Sequence, residues 1–346
     1  MLDRNGATTR EVGKLVDHGG AAVNTYDRSP AMAVAPNGRI GMLWYRSLYD
    51  AGNYNENVYF TVLDSTGEIV YGPLNLTDNT GWSPGGTPDA PLFYSPRIAA
   101  TDDNRYVLVW EKRYSPTPGN PIYDVYYAVR DPQGDPIQAI AQFTTDTPGW
   151  DNSYEYPASA PLRGGLALLA FNRTGSGGET YYGVMNSNGS IVKGPTNLTN
   201  DGSSVRDWDY LDAVQLSDGR IIVAWITRSE YLSKTSIRYA ILDPAYNLVA
   251  GPTTLSHPSA GETDRYPSVT ADSLGHAVLT WTDSWWSHLY YALLDSAGNE
   301  VTSPMIFRTP GLSRYGTLRI ITSYQGHGNT TYSRLELYLP LILKDD

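Results

Sequence analysis

Aromatic residues flanked by carboxylates and amides are the first candidates for chemistry. Trp82, Trp150 and Trp208 close the phrases "TDNTGW", "TDTPGW" and "TNDGSSVRDW", each beside Asp or Asn. A flat indole can cover the C–H face of a sugar while polar neighbours bond its hydroxyls. Sealing a gap between adjacent structural units is the plainer account of the same indoles. Trp285 and Trp286 in "TDSWWSH" are harder to bury together, so at least one is expected to be an exposed contact surface. Arg46, Arg113, Arg173 and Arg228 each follow an apolar run, and Asp283 takes the corresponding place in a fifth run. Several guanidiniums near one axis would clamp a carboxylate or sulfate through bidentate bonds. Pairing with acids of the same or a neighbouring unit is the simpler role for them.

Other chemistries find less support. Asp78, Asp89, Asp146, Asp151, Asp201, Asp207, Asp209, Glu262 and Asp264 supply oxygen ligands of the kind calcium takes. No EF-hand or glycine-aspartate repeat spacing is met, so solvated loops are the reading and no cofactor is expected. The five histidines are scattered without a His-x-x-x-His pair, which argues against zinc. "GLSRYG" is not the Gly-x-Ser-x-Gly elbow of a nucleophilic serine. With no cysteine there is no disulfide, thiolate site or thiol nucleophile. The net charge is −11 and only five residues are lysine, which leaves no electrostatic footprint for nucleic acid or an anionic membrane. No apolar run reaches the roughly 20 residues of a membrane span, so no membrane insertion is expected.

The elements that must position these residues show as a repeat. Turn residues Asp3, Asp64, Asp131, Asn186, Asp243 and Asp295 recur at spacings of 61, 67, 55, 57 and 52 in "LDRNG", "LDSTGEIVYGP", "RDPQGDPIQ", "MNSNGSIVKGP", "LDPAYNLVAGP" and "LDSAGNEVTSP". A second phrase keeps step, "GRIGMLWY", "RYVLVWE", "GLALLAFN", "GRIIVAWI" and "GHAVLTWT", anchored by Trp44, Trp110, Phe171, Trp225 and Trp281. A third is led by Tyr26, Tyr94, Tyr156, Tyr210 and Tyr266. Each unit therefore holds four strands: A after the tyrosine, B ending at the anchor, C before the turn aspartate and D after it. Strand B is nearly continuous in apolar residues, as expected of a strand buried on both faces. The Asp-x-x-Gly phrase is the C–D hairpin turn, where glycine accepts positive φ; Tyr246 replaces that glycine, so this turn is expected to differ.

Four-strand units of this length are the sign of propeller blades. The reading is an all-β, six-bladed β-propeller occupying residues 1–346 as a single domain. Blades span about 24–82, 83–150, 151–205, 206–262 and 263–309, and the sixth combines 310–346 with 1–23. Five blades plus a tail is the alternative. Because "LDRNG" matches the middle of a repeat, Met1 is expected to fall inside a longer precursor.

The run of Pro-Ser-Val, Leu-Thr-Trp, Tyr-Tyr-Ala and Leu-Asp-x-x-Gly-Asn over 267 to 299 resembles the repeats of secreted bacterial β-propeller proteins, over roughly residues 24 to 309. That resemblance implies the architecture and an extracellular or cell-surface location, and says little about activity. Sialidases are similar in carrying a repeated aspartate turn, but their Ser-x-Asp-x-Gly-x-Thr-Trp box is not met, since no tryptophan follows Gly67, Gly134, Gly189 or Gly298.

The A–B and C–D turns are minimal, whereas the B–C and D–A connections are long, and binding residues gather on long loops held by a rigid scaffold. The functional expectation is an extracellular recognition module that binds glycans through the long-loop end, with Trp82, Trp150, Trp208, Trp285, Trp286 and the four arginines as ligand residues. Its partner would be a glycan or a surface protein. A glycan-cleaving glycosidase or polysaccharide lyase, or a structural module of a larger surface protein, are the alternatives.

Overall fold

Each hairpin follows from alternating apolar residues interrupted by a turn signal. The computed structural model describes residues 24–84, 91–117, 120–145, 153–174, 178–200, 205–229, 235–255, 263–272, 274–283 and 288–307. Among them lie five antiparallel sheets, each with a four-strand path in chain order. Sheet 1 comprises β1 (Asn24–Val34), β2 (Ile40–Asp50), β3 (Asn53–Leu63) and β4 (Ile69–Asn75), with the short β5 (Ser83–Pro84) also paired to β3. Sheet 2 holds β6 (Leu92–Ala100), β7 (Tyr106–Thr117), β8 (Asn120–Arg130) and β9 (Pro136–Gln142). Sheet 3 holds β10 (Tyr154–Leu162), β11 (Leu166–Arg173), β12 (Glu179–Asn186) and β13 (Ile191–Asn197). Sheet 4 is β14 (Val205–Gln215), β15 (Ile221–Ser229), β16 (Thr235–Leu242) and β17 (Leu248–Thr254). Sheet 5 is β18 (Asp264–Ala271), β19 (Ala277–Asp283), β20 (Leu289–Leu294) and β21 (Glu300–Phe307). The expected sixth blade, 310–346 with 1–23, lies outside the described residues.

The chain forms two compact units, Met1–Gly175 with Gly183–Pro195, and Ser176–Tyr182 with Thr196–Asp346. Within the first, sheets 1 and 2 enclose a core of Leu43, Val58, Phe60, Tyr106, Leu108 and Trp110. Within the second, sheets 4 and 5 enclose Ile222, Ala224, Tyr239, Ile241, Leu279 and Trp281. All five anchors are buried, none more than 3 % exposed. Strand B is central in each sheet, and in sheets 2 to 5 its apolar run is buried on both faces.

Turn chemistry repeats closely. In every described C–D turn the side chain of Asp64, Asp131, Asn186, Asp243 or Asp295 accepts the backbone N–H groups two and four residues on, at 2.8 to 3.3 Å. Tyr246 does not alter this pattern: it takes the left-handed conformation itself, φ 65°, and the turn keeps its bonds.

Three sequence expectations change. The long B–C connections of the first two sheets are largely strand: β2 and β3 run to a two-residue turn at Ala51–Gly52, both at positive φ (46° and 88°) as a primed hairpin turn requires. The leading tyrosines are not equivalent either. Strand A carries a β-bulge in every sheet, and the bulge residue with positive φ is Ser29, Ser95, Tyr156, Tyr210 or Tyr266. Tyr26 and Tyr94 lie outside that position. Finally, the arginines fall into two pairs, because Arg46 and Arg173 stand two residues past their anchors while Arg113 and Arg228 stand three past, inside strand B. One residue of offset turns a side chain to the opposite face of the sheet.

Candidate functional site

Along β3, Glu56 shares its parity with Val58, Phe60 and Val62, so the strand aims a carboxyl toward the core between sheets 1 and 2. Glu56 is 6 % exposed. One carboxyl oxygen accepts the Ser47 hydroxyl at 2.9 Å from the paired position on β2, and the other accepts the Phe93 N–H of β6 at 3.2 Å. Burial pushes its pKa up to about 7; the bonds from Ser47 and Phe93 and the nearby Arg28 and Arg113 charges oppose that rise.

Half-buried tyrosines and two arginines surround this carboxyl. The rings of Tyr45 and Tyr94 meet edge to face at 5.9 Å. Burial, reinforced by the Glu56 charge, raises both phenols above their ordinary range. Arg28 and Ser29 beside the Tyr45 phenol, and Arg113 beside that of Tyr94, oppose the rise. The Arg113 guanidinium also lies over the Tyr123 ring, 5.5 Å from its centroid. Its Nε is buried without a hydrogen-bond partner among the described residues. The next sheet repeats the carboxylate device: Glu111, 4 % exposed, accepts the Tyr156 N–H at 3.1 Å. This cluster offers phenols, guanidiniums and a carboxyl protonated near neutral pH, which together suit a hydroxylated or anionic ligand.

Trp82 stands at the same end of sheet 1 and is 41 % exposed. Its loop is braced by asparagines: Asn55 donates to the Asn79 and Gly81 carbonyls (2.8 and 2.6 Å), and Asn79 donates to those of Glu56 and Pro91 (3.1 and 2.8 Å). The other expected site residues divide. Arg46, on the opposite face of sheet 1 from Glu56, makes a bidentate pair with Asp27 (2.8 and 3.1 Å) and covers the Tyr59 ring at 4.4 Å. Trp44 Nε1 donates to the same Asp27 at 2.9 Å. Arg173 lies over Tyr154 at 5.9 Å. Arg228 is exposed near the end of β15, opposite Thr235. Trp208 belongs to β14. Trp150, Trp285 and Trp286 lie outside the described residues. Among the expected residues whose side chains are described, the structure brings Arg113 to the Glu56 cluster.

Among the described residues no three acidic or histidine side chains gather as a metal site. Asp207 is buried, accepting the Thr180 hydroxyl at 3.2 Å and facing Arg238 at 3.5 Å. Asp283, also buried, meets His288 Nδ1 at 2.7 Å. Asp89, Asp146, Asp151, Asp201 and Glu262 lie outside the described residues. No helix among the described residues is long and apolar enough to cross a membrane.

Sequence reasoning missed Glu56, Tyr45, Tyr94, Tyr123 and Arg28. A signal existed for the first: "NENVYF" places a glutamate in phase with apolar core residues, where a carboxyl is costly unless bonded.

No protein-family model and no curated protein sequence matches the chain. Solved structures do. An alpha-L-arabinanase of Penicillium chrysogenum complexed with arabinobiose matches at 12 % identity and TM-score 0.55, over 86 % of this chain and 85 % of that one. A protein of unknown function from Dyadobacter fermentans DSM 18053 matches at 10 % identity and TM-score 0.50, over 84 % and 85 %. The likeness shows the fold, a propeller-like all-β arrangement of four-stranded antiparallel sheets.

Proposed function

We propose that the chain is an extracellular glycan-recognition module, a single six-bladed propeller closed by its terminal strands, that binds through the long-loop end of its sheets. The observation that carries this reading is the cluster at that end of sheets 1 and 2, where Tyr45, Tyr94, Tyr123, Arg28 and Arg113 surround buried Glu56. Phenols and guanidiniums bond hydroxyls and acidic groups, and half-buried aromatic rings supply apolar area. Trp82 adds an exposed indole on the loop that Asn55 and Asn79 brace. That the Penicillium arabinanase is complexed with arabinobiose supports a sugar ligand on this kind of scaffold. Trp150, Trp208, Trp285, Trp286 and Arg228 remain proposed contributors.

Glycan cleavage is the second reading, and Glu56 is what favours it. A carboxyl that keeps its proton to about pH 7 is poised as a general acid. Hydrolysis needs a second carboxylate facing the same bond, and Glu56 and Glu111 each commit one oxygen to a neighbouring backbone amide.

A glycan array, run beside a reducing-sugar assay on neutral and acidic polysaccharides, separates the two. The recognition reading expects array binding without sugar release, weakened at least tenfold in Arg28→Ala/Arg113→Ala. Release of reducing ends by the native protein, lost in Glu56→Gln, would transfer the case to the enzyme. An array on which nothing binds would overturn the recognition reading.

A further inference from the structure

We infer that Tyr210 and Tyr266, in the unit built on sheets 4 and 5, form a separate stacking platform for a neutral sugar ring; this rests on the glycan reading above. Both are bulge residues on successive first strands, β14 and β18, with φ 52° and 55°. Their rings meet edge to face with centroids 4.3 Å apart. Tyr210 is 37 % exposed and Tyr266 half-buried.

The fold does not ask for tyrosine there. In sheets 1 and 2 the same bulge is made by Ser29 and Ser95, each at φ 49°, while sheet 3 carries Tyr156 at φ 55°. Positive φ is strained for any residue with a side chain, by about 1–3 kcal/mol, and Asn or Asp tolerate it better than an aromatic ring. Neither ring belongs to the core between sheets 4 and 5. Bulges re-aim side chains at functional positions, and here two of them bring two phenols to one place.

The platform is held still from beneath. Asp212 of β14 accepts both the Ser268 hydroxyl (2.9 Å) and the Val269 N–H (3.0 Å) of β18, fixing the strands two or three residues from the rings. An edge-to-face pair presents one ring face to the C–H side of a sugar and two hydroxyls to its rim. Of the neighbouring polar residues on these strands Arg265 is exposed and Ser268 half-buried, while Asp207 and Asp264 are buried. A polyhydroxylated ligand suits the two phenol hydroxyls better than an apolar peptide, which would leave them unmatched.

The test is an array of neutral gluco-, xylo- and arabino-oligosaccharides, followed by titration of its strongest hit into four proteins: native, Tyr210→Ser/Tyr266→Ser, Tyr210→Phe/Tyr266→Phe and Arg28→Ala/Arg113→Ala. Serine is what the bulges of sheets 1 and 2 carry, so thermal melting should stay near the native value. The serine variant is expected to lose at least tenfold in affinity for a neutral hit, and the phenylalanine variant, which keeps the stacking faces, only a few-fold. Should the serine variant misfold, equal affinity of native and phenylalanine proteins with no tyrosine perturbation on titration would overturn the platform. Hits that bind normally to the serine variant but not to the arginine variant overturn the platform and leave the glycan reading standing. Binding of a protein partner with no glycan hit would overturn both.

Discussion

The two ends of these sheets are built on opposite principles. At the end carrying the A–B and C–D turns, two kinds of contact between consecutive sheets recur, each three times among the described residues. Arg39 donates to Pro132 O at 2.6 Å, Arg105 to Ser187 O at 3.1 Å and Arg220 to Ser296 O at 2.8 Å. Tyr127, Tyr182 and Tyr239 give their phenol protons to Gly189 O, Tyr246 O and Gly298 O at 3.0, 2.7 and 2.9 Å. At the long-loop end the ties are less regular: Glu56 on β3 and Glu111 on β7, different strands of their sheets, accept Phe93 N and Tyr156 N, while the Thr235 hydroxyl reaches Asp264 O. A contact that recurs is one the repeat needs in order to stack. One that diverges has been released from that demand, and chemistry can differ there.

The anchors between the two ends set the scale of what the repeat requires. Trp110→Ala, emptying the core between sheets 1 and 2, should cost about 3–5 kcal/mol by denaturant unfolding. A cost below 1 kcal/mol would mean that the sheets are not held together by their B strands.

Glu56 tests the diverged end through pH. Its pKa is about 7 in the fold against 4.5 in the free side chain. Because the folded value is the higher one, the unfolded chain releases this proton first. The contribution is complete below pH 4.5 and is lost as pH rises to 7, by roughly 3 kcal/mol in all. Glu56→Gln can still accept from Phe93 N and meet Ser47, yet cannot ionise. Melting curves at pH 4.5 to 8 should show the variant gaining on the native protein as pH rises; parallel curves would place the Glu56 carboxyl in water.

The repeated ties are individually smaller. Arg220→Ala removes one partly exposed guanidinium-to-carbonyl bond and should cost about 1 kcal/mol. An equal loss from Arg228→Ala would blur the contrast between the ends, since that exposed side chain should matter by less than about 0.5 kcal/mol.

What the sequence disclosed follows the same division. Four strands per unit, the buried anchors and the turn aspartates were legible because each recurs in phase. The arginines misled: an aromatic anchor followed by Arg46 or by Arg113 reads alike, though the single residue of offset puts one on Asp27 and the other beside Tyr94. The bulges were hidden because serine and tyrosine share a backbone conformation with no common side-chain signature. Tyr45, Tyr94 and Glu56 come from three strands of two sheets, and no spacing along the chain could place them together.

The claim that the diverged end carries the ligand is tested most directly by calorimetric titration of one array-selected oligosaccharide into paired variants, Arg28→Ala/Arg113→Ala at the long-loop end and Arg39→Ala/Arg105→Ala at the short-turn end. The first pair should lose at least tenfold in affinity and the second should bind like the native protein. Normal binding by the first pair with loss in the second would contradict the account.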